Sequence, residues 1–233
     1  MRTSIRIPRR GVRAAALHSL PLAAVLAACG SGHRLGDADF SGGSLAVETW
    51  TPASPVVLTS GVDRDADGSL AEVLLETGSE VARELEARRA NTRLREAATR
   101  FDLADRLSER LSTRAGRSLG TEPAASAADA DFVLELDVRR YGIRADDRSA
   151  SVFLEADAFL LDARGVELWR RSVHAWDRLT PRVDGGIGAG AVTAATLSRV
   201  TVDDMERALE RAADAAANRI DRDLRDDLRD MRR

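Results

Sequence analysis

Apolar residues in this chain change their spacing twice, and the two changes set the order of its secondary structure. From Leu70 they recur every three to four positions as Leu70, Val73, Leu74, Thr77, Val81 and Leu85, with Glu76, Glu80, Glu84 and Arg88 on the other faces. That is the pattern of an amphipathic helix. A second stripe, Leu94, Ala97, Ala98, Phe101, Ala104, Leu107 and Leu111, runs on towards Gly116 and Gly120. Two consecutive helices or one long bent helix satisfy it equally. The period then drops to two: Phe132, Leu134, Leu136 and Val138 alternate with Val133, Glu135, Asp137 and Arg139, so one face of a strand is buried and the other wet. Residues 152 to 161 read as a second strand, apolar on both faces. Asp162-Ala163-Arg164-Gly165 reads as a turn, and residues 166 to 175 as a third strand with Trp169 and Val173 on one face. After Thr201-Val202-Asp203-Asp204, a capping-box variant, the helical spacing returns as Met205, Leu209, Ala212, Ala213, Ala216, Ile220, Leu224 and Leu228. These elements predict an α+β fold: a mainly antiparallel sheet with a three-strand meander, covered by long amphipathic helices.

Ahead of the first helix, residues 45 to 50 and 56 to 59 are two short strand-like runs separated by Pro52 and Pro55, and either could open the sheet. Residues 30 to 43 are rich in glycine, serine and aspartate and read as a flexible tether. Residues 184 to 195, rich in glycine and alanine, read as a flexible loop.

The amino terminus has a different character. Arg2, Arg6, Arg9, Arg10 and Arg13, with no acid among them, precede an apolar run that ends in Leu26-Ala27-Ala28-Cys29. This is the charged, apolar and small-residue sequence of an export signal. His18 and Pro21 interrupt the run, which is shorter than a membrane span requires. The segment resembles a bacterial lipoprotein signal, and residues 26 to 29 match its lipobox at all four positions. The resemblance implies a diacylglyceryl group on the Cys29 sulfur, cleavage between Ala28 and Cys29, and N-acylation of the new terminus. Cys29 is followed by Gly30 rather than by the aspartate that favours inner-membrane retention. The resemblance therefore implies the periplasmic face of the outer membrane, or the outer face of the plasma membrane in a single-membrane cell. The chain then divides into a signal peptide (1–28), a tether (29–43) and a single α+β periplasmic domain (44–233).

Loss of the signal removes five arginines and leaves 30 against 38 acids, a net charge of about −8 with histidine neutral. Such a chain is a poor general binder of nucleic acid or of anionic lipid headgroups. It contains no lysine, which excludes a Schiff-base or P-loop lysine. Its one cysteine is Cys29, so neither a disulfide nor a thiolate metal site remains once that residue carries lipid.

Three local patterns carry candidate chemistry. Asp63, Asp65 and Asp67 with Gly68 match the first half of a calcium loop. The bidentate acid due at position twelve is replaced by Leu74, and a strand-like segment rather than a helix precedes the loop. A solvated turn at a helix amino terminus is the favoured reading. His174, the one histidine inside the expected fold, lies near Asp177 in sequence, but no nucleophile accompanies it and it falls on the wet face of its strand. Residues 185 to 190 contain four glycines that could be mistaken for a dinucleotide loop, but their spacing is wrong and they do not directly follow a strand in a βαβ unit. The sequence thus favours a protein without catalytic machinery, resident metal or cofactor other than its lipid.

Ala130-Asp131-Phe132-Val133-Leu134, with the hairpin Asp162-Ala163-Arg164-Gly165-Val166-Glu167-Leu168-Trp169, resembles a group of bacterial envelope lipoproteins. Among them are the curli-secretion lipoprotein, the activators of peptidoglycan synthases, the amino-terminal domain of the Tol periplasmic protein, and lipoproteins of lipid-transport ABC systems. The resemblance implies an accessory or scaffold subunit of an envelope assembly or transport complex, touching the membrane through its lipid and an envelope protein complex through its domain. The alternative it implies is a lipid-binding accessory of an ABC lipid-transport system, which would need an apolar groove between helices and sheet. Oligomeric state is left open by the sequence.

Overall fold

The computed structural model describes residues 34–59, 70–145, 149–179 and 189–231, with the side chains of 70–80, 83 and 189–193 left aside. Residues 33 to 233 form one compact unit. The alternating segment is β4 (Phe132–Ala145), followed by β5 (Ala150–Asp162) and β6 (Glu167–Arg178). β4 pairs antiparallel with β5 and β5 with β6, so the expected meander is present. Its last turn is held by Asp162, whose carboxylate accepts from the backbone N–H of Arg164 and of Val166, both at 2.9 Å, while Gly165 supplies the left-handed φ of 75°.

The sheet is mixed. β1 (Ser44–Trp50) runs parallel to the first half of β4, and β2 (Val56–Thr59) runs parallel to its second half. The choice between two first strands is therefore resolved as both, in tandem along one edge of β4, with Pro52 and Pro55 in the gap where no ladder has to be continued. A two-residue β3 (Glu122–Pro123) extends β1, and the order is β3-β1-β4-β5-β6 with β2 beside β4. Pairing shifts by one residue between Val138 and Arg140. This bulge shifts the inward phase by one residue, so that Tyr141, Ile143 and Ala145 continue the buried face begun by Leu134, Leu136 and Val138. The alternation seen in the sequence stops at Arg139 for this reason; the strand does not.

The helix layer comprises α1 (Leu70–Arg100), α2 (Leu103–Leu119), α3 (Ala189–Arg199) and α4 (Val202–Asp230). The break between the first two falls at Asp102, whose side chain caps α2 by accepting from the Asp105 N–H, and α2 ends on Gly120 at φ 77°. The capping box at Thr201 and Asp204 is formed as expected. α2 and α4 lie parallel and are joined at four-residue steps by Arg106 to Glu210, Arg110 to Asp214 and Arg114 to Asn218. α4 packs on β5 and β6 and α2 on β1. Ala208, Ala212, Ala213, Ala216 and Ala217 are all buried on α4, and their small volume lets the helix axis come close to the sheet. Trp169 fills the space between α4 and β6, 1% exposed, with its Nε1–H donating to Asp227 at 2.8 Å.

Two expectations are corrected. The segment read as tether is packed from Arg34 onward: Leu35 is 1% exposed and Phe40 8%, the latter against Phe132 with ring centroids 4.7 Å apart and planes tilted by 45°, so the packed structure reaches at least ten residues ahead of Ser44. Two isolated apolar residues in a glycine-rich context carry no period from which this could be read. Residues 189 to 195, read as loop, belong to α3. Residues 184 to 188 lie outside the described residues, as do Ala28, Cys29 and the aspartates Asp63, Asp65 and Asp67.

Candidate functional site

Among the described residues, one face of the sheet carries no helix, and the strand register arranges its side chains in rows. Val56, Gly142, Phe153 and Trp176 are consecutive partners across β2, β4, β5 and β6 and form an apolar row. Trp176 is 66% exposed and Val56 36%. Gly142 is required here because a Cβ would collide with the Val56 carbonyl oxygen, so the close approach of β2 depends on the missing side chain. On one side runs the row Leu58, Arg144, Ser151, Arg178, and on the other Arg140, Glu155, His174.

The two flanking rows make the apolar row chemically distinct. The Arg144 guanidinium sits over the Phe153 ring, 5.3 Å from its centroid, and Phe153 is only 4% exposed although it belongs to the open face. Glu155 accepts from Arg140 Nε at 2.6 Å and lies 3.8 Å from Arg144. The Arg140 hydrogen bond, reinforced by the charges of Arg140, His174 and Arg144, holds its carboxyl below the usual range. Arg144, Phe153, Glu155, His174 and Trp176 surround a shallow recess of about 250 Å³. Further along the same β5–β6 pair, Arg170 sits over the Phe159 ring, 4.7 Å from its centroid. This end of the open face is thus an aromatic row bordered by cations, with Glu155 already engaged.

At the other end of this face Glu48 stands directly opposite Glu135. Partial burial, with the Glu48 charge added, raises the Glu135 carboxyl above its ordinary value. A fourth aromatic, Trp50, is 48% exposed beside this pair.

His174 occupies the wet face as the alternation predicts, and Asp177 does not join it. Three residues apart on a strand, the two point to opposite sides, and Asp177 is held on the helix side by Arg211 of α4 at 2.7 Å. His174 instead faces Glu155 across the strand pair. Among the described residues no three His, Cys, Asp or Glu side chains converge at metal-ligand range, and no helix is long and apolar enough to cross a membrane. The sequence reading missed the apolar row itself, because its members come from four strands. The available signal was Trp176, a tryptophan on the outward phase between the inward Ala175 and Asp177.

No family model matches this chain, and no curated protein does. Among solved structures it is similar to an uncharacterised protein at 17% identity, covering 79% of this chain and 93% of the other, with a TM-score of 0.42. It is also similar to a candidate lipoprotein from Caulobacter crescentus CB15 at 22% identity, over 53% and 81% of the two chains, with a TM-score of 0.30. Lipoprotein GNA1162 from Neisseria meningitidis is a further neighbour at 19% identity, 58% and 83% coverage and a TM-score of 0.21. At such scores neither family nor function follows from the likeness.

Proposed function

We propose that this chain is a lipid-anchored, non-catalytic accessory subunit of an envelope protein complex. In this reading Cys29 holds it at the periplasmic face of the outer membrane, and the open sheet face receives the partner. The observation that carries the reading is the row Val56, Phe153, Trp176 bordered by Arg140, Arg144 and Arg178, with Trp176 66% exposed. An exposed tryptophan on an uncovered sheet, ringed by arginine, has the composition of an interface centre rather than of ordinary solvated surface. The partner segment matching it is apolar at its tip and acidic at its flanks. Tethering raises the local concentration of the domain at one membrane, so a modest intrinsic affinity suffices. The lipid-carrier alternative needs an apolar groove between helices and sheet; the described interface there is filled by Trp169, Leu136, Leu154, Leu160 and the alanines of α4.

The test is cross-linking and capture of the full-length lipoprotein from its own membranes, beside Trp176→Ala and Cys29→Ala variants, with proteins and lipids identified by mass spectrometry. The reading expects a defined protein complex that is weakened by Trp176→Ala and lost with the anchor. Co-purified phospholipid with no protein partner would refute it in favour of the lipid carrier.

A further inference from the structure

α2 ends beside Asp221 of α4, which runs on to Asp230, and the end of α2 with the last three turns of α4 encloses a cleft of about 480 Å³ whose lining includes Arg114, Arg117, Ser118, Asp221, Arg225 and Arg229. Four guanidinium groups therefore meet one carboxylate. Asp221, 8% exposed, is already engaged: it accepts from Ser118 Oγ at 2.5 Å and pairs with Arg225 at 3.0 Å. Arg229 pairs with Asp226 at 3.4 Å, outside the cleft lining. The partner of Arg114 is the uncharged amide oxygen of Asn218, and Arg117 makes no hydrogen bond or ion pair among the described residues. Two cations are left uncompensated in a chain whose acids outnumber its arginines. The negative ends of the two helix dipoles favour arginine there, but they do not fill the cleft.

The cleft also lies where the chain enters the fold. The Arg34 N–H donates to the Leu168 carbonyl at 2.8 Å, and Gly36 packs on Met231, the residue that closes α4, two positions beyond Arg229. Only four residues separate Cys29 from Arg34, and the five chain steps between them reach at most about 18 Å however they are arranged. Resting on the lipid-anchor reading, that reach keeps this end of the domain close to the headgroups.

We infer that the α2–α4 cleft binds the phosphate of an anionic phospholipid headgroup in the membrane that carries the anchor, and so seats the domain end-on. Guanidinium groups match phosphate oxygens in pairs, and Arg114 and Arg117, one turn apart on α2, supply the free donors. The net negative charge of the domain opposes long-range attraction to such a surface. The tether supplies the proximity, and the cleft acts at contact range, inside the screening length.

The test uses the full-length chain with Cys29→Ala, so that no lipid anchor contributes. Its co-sedimentation is measured with vesicles of phosphatidylcholine alone and of phosphatidylcholine mixed with phosphatidylglycerol. The combined Arg114→Gln and Arg117→Gln variant keeps good helix formers at both positions, and Arg117→Glu, at an exposed site, is the second variant; each is checked for an unchanged melting temperature. The expected result is preference for the mixed vesicles, reduced about tenfold or more by the double glutamine variant and by Arg117→Glu, and weakened by salt. Equal binding of parent and variants, or no preference between vesicles, overturns the proposal. Displacement by inorganic phosphate matched to the lipid phosphate also overturns it, in favour of a soluble ligand. Failure of the anchor reading shows separately, as the absence of acyl chains on Cys29 in the intact mass of the wild-type protein.

Discussion

Replacing Trp169 tests the packing between α4 and the sheet in two separable steps. The indole is 1% exposed and fills the α4–β6 interface, so Trp169→Ala is expected to cost about 3–5 kcal/mol. Against a total stability of about 5–15 kcal/mol this is a large fraction. Trp169→Phe keeps part of the ring and removes the 2.8 Å bond to Asp227. A hydrogen bond to a charged acceptor contributes about 1.5–3 kcal/mol, and here the lower end applies, because Arg171 still reaches Asp227 at 2.8 Å and prevents a stranded charge. The phenylalanine variant should therefore lose about 2 kcal/mol. Urea unfolding followed by far-ultraviolet circular dichroism measures both variants without relying on tryptophan fluorescence. In a double-mutant cycle, Trp169→Phe and Asp227→Asn should couple by about 1 kcal/mol. A cost below about 0.5 kcal/mol for Trp169→Phe, or additive single variants, would refute the assigned role of the indole N–H.

Three further outcomes follow from the same geometry. Gly142→Ala places a methyl group on the backbone of Val56, so β2 must move; a loss of about 1–3 kcal/mol with faster amide exchange in β2 is expected, and a wild-type melting temperature would contradict it. Glu135 has a raised folded-state pKa, so the native chain holds its proton more tightly than the unfolded chain, and stability is lost as pH rises from the ordinary value of 4.5 through the raised one. Glu135→Gln should then stabilise by about 0.2–1 kcal/mol at neutral pH, with the gain absent near pH ~4, as read from paired thermal melts. Thr201→Ala removes the α4 cap and should cost about 1 kcal/mol; it also releases the Asp204 carboxyl, held low first by the Thr201 hydroxyl, towards its usual range, which carbon-detected titration would follow.

What the sequence disclosed was local. The capping box at Thr201, the Asp162–Gly165 turn and the two-residue alternation of β4 each depend on neighbours within a few positions, and each is found in place. The parallel pairing of β1 and β2 with β4 joins segments some 85 residues apart in the chain, and no periodicity encodes which edge they take. The bulge at Arg139 hid the second half of β4 by shifting its phase. Phe40 and Leu35 were hidden by standing alone among small and polar residues. The candidate site shares this limit. Trp176 is visible as an outward tryptophan, but its alignment with Phe153, Gly142 and Val56 is a property of strand register alone.

The central claim is that Cys29 is the acylated first residue of the mature protein, and the intact mass of the full-length gene product extracted from its own membranes tests it most directly. The account predicts a chain beginning at Cys29 that carries a diacylglyceryl group and an amide-linked acyl chain. A chain that retains residues 1–28, or one cut elsewhere with an unmodified Cys29, would contradict it.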